Sequence, residues 1–308
     1  MRVLITGATG YVGQSVATAL AAEGHHVSAL TRDPDSGRAR TLAGSGVRLV
    51  QGSLTDRAVI AETLTETDAV VHTAYDPADQ VGGERALFAA LAEADRRPHV
   101  VYTSGCSVYG EHAHARLTSA TPVDGGSVRA GLEAGLRDTG VPHTVLRPGM
   151  VHGGDARSSI VGAWFRDALT TGPVHRGRRD KVWSWIHVDD LARAYAAVLR
   201  APEDHRDRVY LLADSQPASA SAVVEAAARA AGSTAPVTLR PIEDENPLYR
   251  VFDRDEVVDS SPARAELGWA PRESGVIEAL PASFAAWRTV GAPWISSPHA
   301  MPSDAAGG

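Results

Sequence analysis

The first twenty-four residues constrain this chain more than any others. Arg2–Thr6 is a short apolar run that stops at Gly7, and Gly7, Gly10 and Gly13 then recur every third residue. From Tyr11 to Glu23 the apolar side chains fall on one helical face, with Gly24 as the stop. A strand, a glycine turn and a helix in that order form a phosphate cradle. The glycines permit the tight turn and close backbone approach, and the helix N-terminus offers unpaired N–H groups to a pyrophosphate. Gly7, Thr9, Gly10, Tyr11, Val12 and Gly13 are therefore the expected contacts.

The same alternation continues. Strands are expected over 26–30, 47–51, 69–73, 99–103 and 144–147, with helices over 36–43, 57–65, 84–94 and 128–137 between them. This spacing predicts an α/β fold, a doubly wound parallel sheet with helices on both faces. Beyond Pro148 the regularity breaks into helices over 158–169, 190–199 and 220–231, a strand over 209–212, and mixed segments up to 288. The expected division is a dinucleotide-binding domain over 1–150 and a smaller, mixed substrate region over 151–290, intertwined with the first. Residues 291–308 lack periodicity and read as a disordered tail.

The end of the second strand bears on which dinucleotide is bound. An acidic residue there suits the ribose 2′-hydroxyl of NAD(H), and a cation suits the 2′-phosphate of NADP(H). Thr31 and Arg32 occupy the place, with Asp33 only after them, so NADP(H) is favoured over NAD(H). Ser53 and Leu54, after the third strand, are expected beneath the adenine.

Composition narrows the function classes. The 308 residues are 44% apolar and 22% charged with a formal net charge of −7, which gives no general electrostatic hold on nucleic acid or anionic lipid. Cys106 is the one cysteine, so there is neither an intrachain disulfide nor a cysteine-built metal cluster. The His and Asp residues lack metal-ligand spacing, and no metal site is expected. No apolar stretch reaches the roughly 18 to 20 residues of a membrane span, and Met1–Ile5 runs into the glycine turn with no signal-peptide core. The expectation is a cytoplasmic protein acting on a small molecule, with a homodimer as the assembly to look for.

Several segments together resemble the short-chain dehydrogenase/reductase superfamily, in the extended form typified by NAD(P)-dependent epimerases and dehydratases. They are Thr6–Gly13, His72-Thr73-Ala74, Tyr102-Thr103-Ser104 with Val108-Tyr109-Gly110, Leu146-Arg147-Pro148-Gly149, Trp185–Ala192 and Ala265–Pro271. The resemblance covers nearly the whole chain and is more specific for fold than for reaction. It implies cofactor contacts at Thr73, Ala74, Thr103, Pro148 and Gly149. It also implies a serine or threonine, a tyrosine, and a lysine four residues after the tyrosine. That pattern fails here. The serine position falls on Gly105, the tyrosine position on Gly125 and the lysine position on Arg129. Lys181, the sole lysine, has Gly177 at the required spacing. The chain thus resembles an atypical branch that keeps the cofactor fold without the catalytic pair.

Arg129 can hold the ribose in the lysine's place, but a guanidinium with a pKa above about 12 is a poor proton-transfer group. Tyr75, Ser104 and Tyr109 are the candidate catalytic residues because they follow strand ends, where ligands of an open α/β sheet collect. Tyr75 leads, as the neighbour of the His-Thr-Ala turn. Tyr109 and His152 read more readily as packing, His112 and His114 as solvated, and His187 with Asp189 and Asp190 as a structural junction. Trp164, Trp183 and Trp185 suit either a substrate wall or a small core. The favoured activity is an NADP(H)-dependent oxidoreductase acting on a small organic carbonyl or alkene, of the secondary-metabolite kind, with a proton donor other than the family tyrosine. The alternatives are a non-redox isomerase, dehydratase or cyclase, and an NADP(H)-sensing regulator without turnover.

Overall fold

The computed structural model of the chain describes residues 1–75, 79–112, 116–242 and 250–290. Five strands, β1 (Arg2–Thr6), β2 (His26–Thr31), β3 (Arg48–Gln51), β4 (Ala69–His72) and β5 (His99–Thr103), alternate with α1 (Tyr11–Ala22), α2 (Gly37–Gly44), α3 (Arg57–Leu64) and α4 (Gln80–Glu93). A 3-10 turn over Cys106–Tyr109 and helix α5 (Val128–Asp138) lead to β6 (His143–Pro148). The chain then builds β7 (Met150–His152), α6 (Ile160–Thr170), β8 (Val174–Arg176), β9 (Val182–Trp183), β10 (Trp185–His187) and α7 (Val188–Arg200). It returns to the sheet as β11 (Arg208–Leu212) and continues through β12 (Ala218–Ser219), α8 (Ala220–Ala230), β13 (Thr238–Arg240) and helices Ser261–Leu267 and Val276–Thr289.

The main sheet runs β3-β2-β1-β4-β5-β6-β11, parallel throughout. This is the doubly wound α/β sheet expected from the sequence. The order of strands reverses between β1 and β4, which opens a crevice beyond their carboxyl ends. Alternation along each strand supplies both covered faces. Val3 and Ile5 pack with Val16, Ala17 and Leu20 of α1 and with Ala194–Val198 of α7, whereas Leu4 packs with Ile60, Leu87 and Leu132 on the other side. Each such fully buried side chain contributes about 1.5 to 3 kcal/mol, so Leu4→Ala strikes the sheet at its centre.

Some boundaries differ from the sequence reading. Helix α4 starts one turn earlier, because the Asp79 carboxylate accepts from Gly82 N and caps it; Gly82 and Gly83, poor helix formers, hide that start. The strand over 209–212 forms as expected, but its pairing with β6 is set by tertiary contacts, and it brings chain from beyond residue 150 into the main sheet. The tail over 291–308 lies outside the described residues. The smaller region has its own core, in which Met150, Trp164, Phe165, Trp183 and Trp185 pack against Val223 and Ala227 of α8.

Candidate active site

The glycine turn is fixed by backbone crowding. Gly7 has φ +76°, and a Cβ there would sit 2.5 Å from the backbone N of Ala74. A Cβ on Gly13 would sit 2.1 Å from the Gly7 carbonyl oxygen. Thr73 locks the approach from β4, its hydroxyl donating to the Thr6 carbonyl at 2.8 Å. Helix α1 has Gly10 at its N-cap and no side-chain cap, whereas Ser36, Asp56, Asp79 and Ser127 cap α2 to α5. Its first-turn N–H groups thus stay available to an anion, which fits a pyrophosphate. Val12 packs into the core behind, and the Tyr11 hydroxyl donates to the Gly153 carbonyl at 2.7 Å, joining the turn to the smaller region.

At the adenosine end, Arg32 is exposed just beyond β2. A second arginine that the sequence reading missed lies closer to the turn: Arg38 donates from Nη1 to the Thr9 carbonyl at 3.0 Å. Burial, then the neighbouring Arg157, lowers its pKa, the signature of two cations drawn together in a partly dry place. Its position in the first turn of α2, six residues past Arg32, was the available signal. Ser53 shares a 3.0 Å hydrogen bond with Thr55, and Leu54 packs beneath Gly83 of α4.

The reaction edge is assembled differently. Arg129, in the first turn of α5, donates from Nη1 to the Thr103 carbonyl at 3.3 Å. The Thr103 hydroxyl lies between the His72 carbonyl and the Tyr195 hydroxyl, 2.5 Å from each. From sequence, Tyr195 is only one member of an apolar helical face. At the family's tyrosine position, Gly125, a Cβ would meet nothing within 4 Å. At Gly105 it would meet only the Ser107 hydroxyl, at 3.8 Å. Gly125 is exposed, so the space beside it is open to solvent. Tyr75 is half-buried three residues past the end of β4, and Ser104 is buried with its hydroxyl lacking a hydrogen-bond partner.

Tyr109 is not brought to this edge. It is 2% exposed; its hydroxyl donates to the Thr118 carbonyl at 2.8 Å and accepts from Arg147 Nη1 at 2.8 Å. Arg147 in turn forks onto Glu133. Burial pushes the Tyr109 phenol up to about 12, and the group holds the interior together. Pro148 ends β6 buried, and Gly149 passes so close to Ser184 that a Cβ would meet its carbonyl oxygen at 2.5 Å.

The other singled-out residues separate clearly. His152 is buried against Trp185 and His187 with neither ring nitrogen hydrogen-bonded, and burial lowers its pKa to about 3. His187 caps α7 by accepting from Asp189 N, while the buried Asp190 carboxylate accepts from the backbone of Arg272 and Glu273. His112 donates to the Asp255 carbonyl across 3.1 Å, and His114 lies outside the described residues. The three tryptophans cluster with centroids 5.9 to 6.3 Å apart. Trp164 and Trp183 also line a small surface cleft with Ile160, Lys181 and Phe252. Among the described residues no group of three or more His, Cys, Asp or Glu is placed to hold a metal ion, and no helix is long and apolar enough to cross a membrane.

The fold, the glycine turn and the crevice define an NAD(P)-dependent enzyme of the extended short-chain dehydrogenase/reductase superfamily. Residues 1–251 match the NmrA-like family, and the chain belongs to it. A 3-diazoavenalumate denitrifying reductase from a Streptomyces species is 30% identical over 88% of this chain and 96% of its own length. A (4-alkanoyl-5-oxo-2,5-dihydrofuran-3-yl)methyl phosphate reductase of Streptomyces griseus is 37% identical over 47% of this chain and 46% of its own. Among solved structures, the UDP-glucose 4-epimerase of Thermus thermophilus in complex with NAD superposes with a TM-score of 0.77 at 22% identity, covering 94% of this chain and 99% of that one.

Proposed function

We propose that the protein is an NADP(H)-dependent reductase of a small organic carbonyl or activated alkene, working without the family's tyrosine and lysine. One observation carries this reading: the cofactor cradle keeps its steric requirements, while Gly105 and Gly125, at the positions read for the family's serine and tyrosine, carry no side chain that could move a proton. The two reductases similar to this chain support redox chemistry over epimerisation.

The residues that would hold the cofactor are the Gly7–Gly13 turn for the pyrophosphate, Arg32 and Arg38 for a 2′-phosphate, Ser53 and Leu54 for the adenine, and Thr73, Ala74, Thr103, Arg129, Pro148 and Gly149 toward the nicotinamide. When bound, NADPH supplies a hydride. Arg129 keeps its charge and binds the ribose side without moving a proton. Tyr75 and Ser104 offer hydroxyls that orient the substrate's polar atom next to the hydride. The enzyme works in the cytoplasm, with a homodimer as its expected assembly.

The test is oxidation of NADPH, followed by its near-ultraviolet absorbance, with a panel of aryl aldehydes, ketones and α,β-unsaturated carbonyls. Turnover of at least one compound is expected, with NADPH bound more tightly than NADH. Tight NADPH binding with no turnover across the panel would overturn the reductase reading and favour the sensing alternative.

A further inference from the structure

Three buried polar side chains around the loop after β5 have unused hydrogen-bonding capacity. The Ser104 hydroxyl is one. The others, Arg254 Nε and Glu256 Oε2, come from a segment about 150 residues later in the chain. All three residues are less than 8% exposed. Buried polar atoms are normally paired, so unpaired ones on two segments that meet at one loop single that loop out.

The backbone holds Glu256 at this loop. Its N–H donates to the Val182 carbonyl at 2.8 Å, and its carbonyl accepts from Ser184 N at 2.8 Å. The Ser184 carbonyl accepts from Met150 N at 2.9 Å, so the strand carrying Glu256 is one strand removed from the end of β6. On the other side, Arg254 Nη2 donates to the Ser107 carbonyl at 3.2 Å and stands 3.6 Å from Glu256 Oε2. Arg254 thus ties this segment to the turn after β5, and the Glu256 carboxylate lies beside it. Gly105, with its open side-chain space, lies at the start of that turn.

We infer that Glu256 is the proton donor of the reductase, standing in for the family's missing tyrosine, with Arg254 as its positioning residue. The inference rests on the reductase reading above. In the reduction of a carbonyl, the hydride of NADPH forms the new C–H bond and the C=O π bond breaks. The oxygen takes the proton from the Glu256 carboxyl, leaving NADP+, an alcohol and a carboxylate that solvent reprotonates. No further reductant or oxidant is needed.

The electrostatics suit this role. Burial raises the carboxyl to about 7, opposed only in part by Arg254. The acid form is therefore well populated at neutral pH, near the optimum for a general acid. The other titratable group facing it is Cys106, whose thiol is pushed up first by burial and then by Glu256, with Arg147, Arg254 and Glu133 also acting on it. A thiol held up in this way stays neutral and does not compete as an acid at neutral pH.

The decisive experiment compares the parent protein with Glu256→Gln, using 4-nitrobenzaldehyde and 2-cyclohexenone as probes and titrating NADPH separately. The variant is expected to lose about a hundredfold or more in turnover while NADPH affinity stays within about twofold. The parent rate should fall as pH rises through about 7, as the acid form disappears, and that alkaline limb should be absent from the residual rate of the variant. Glu256→Asp, which keeps the acid on a shorter stem, should recover part of the rate and restore the limb. An active parent with an equally active Glu256→Gln protein overturns the assignment alone. If Glu256→Gln does not fold, the parent decides: a rate flat from about pH 6 to about pH 9 overturns the assignment, and an alkaline limb supports it. NADPH binding without turnover of either probe in the parent overturns the reductase reading and this inference with it.

Discussion

The cofactor cradle and the reaction edge lie side by side on one sheet, yet they are built on opposite principles. At the cradle, glycine is present because backbone atoms occupy the space a side chain would take: they would stand 2.1 Å from a Cβ on Gly13 and 2.5 Å from a Cβ on Gly7. At the edge, glycine stands where nothing fills the space, at Gly105 and Gly125. The same residue type excludes variation in one place and leaves room for it in the other. A binding frame set by sterics can therefore persist while the chemistry beside it is rebuilt from other segments.

The strongest way to sharpen this contrast is to attack the buried network beneath the edge. Glu133→Ala leaves Arg147 charged, buried and unpaired, and should cost about 3 to 5 kcal/mol of stability. Denaturant unfolding measures this. The folded fraction should still bind NADPH, because Glu133 makes no contact with the glycine turn. Loss of binding at full stability would mean that the network belongs to the site.

Next in size is Gly13→Ala. Its methyl group meets a carbonyl oxygen fixed in the turn, so the turn must move; about 2 to 3 kcal/mol of stability and most NADPH affinity should be lost. Gly125→Ala, the matching change at the edge, meets nothing and should leave both within experimental error. Equal sensitivity at the two positions would erase the distinction between cradle and edge.

The same distinction explains what was legible in the sequence. The doubly wound sheet and the glycine turn could be read, because each depends on local spacing or on a short run of apolar residues. Arg38 was missed because an arginine in the first turn of a surface helix looks solvated. It reaches Thr9 only because β1 and β2 are neighbours in the sheet. Glu256 and Arg254 were missed for a stronger reason: Asp253, Arg254, Asp255 and Glu256 read as a charged surface run. Their burial follows from backbone pairing with residues 182–184, which no local pattern encodes. Tyr109 shows the reverse case. A tyrosine beside a strand end invites a catalytic reading, but Arg147 and Thr118 already occupy its hydroxyl.

Arg32→Ala tests the outer end of the cradle. Loss of one charge-assisted contact to a 2′-phosphate should narrow the gap between NADPH and NADH affinities by about 1 to 3 kcal/mol, leaving NADH binding nearly constant. Isothermal titration of both cofactors reads this directly. Arg38 remains in place, so some preference for NADPH should survive in the variant. Equal affinity for the two cofactors in the parent protein would remove the phosphate-binding role from both arginines.

The smallest expected effect separates the two tyrosines that follow strand ends. Tyr75→Phe removes one hydroxyl from a half-buried residue just past β4 while keeping the ring, so stability and NADPH affinity should hold. Turnover should slow at least tenfold, about 1.4 kcal/mol of barrier. Because this hydroxyl orients the substrate and the proton comes from Glu256, the alkaline limb of the pH profile should persist. Tyr109→Phe should do the opposite. It withdraws an acceptor from Arg147 and a donor from the Thr118 carbonyl, which lowers stability by about 1 kcal/mol but changes turnover by less than about twofold. Steady-state kinetics and thermal unfolding of the two variants, run together, distinguish the roles. A Tyr75→Phe protein of full activity would free Tyr75 from the site, and a Tyr109→Phe protein of normal stability but low activity would put the buried tyrosine at the reaction edge after all.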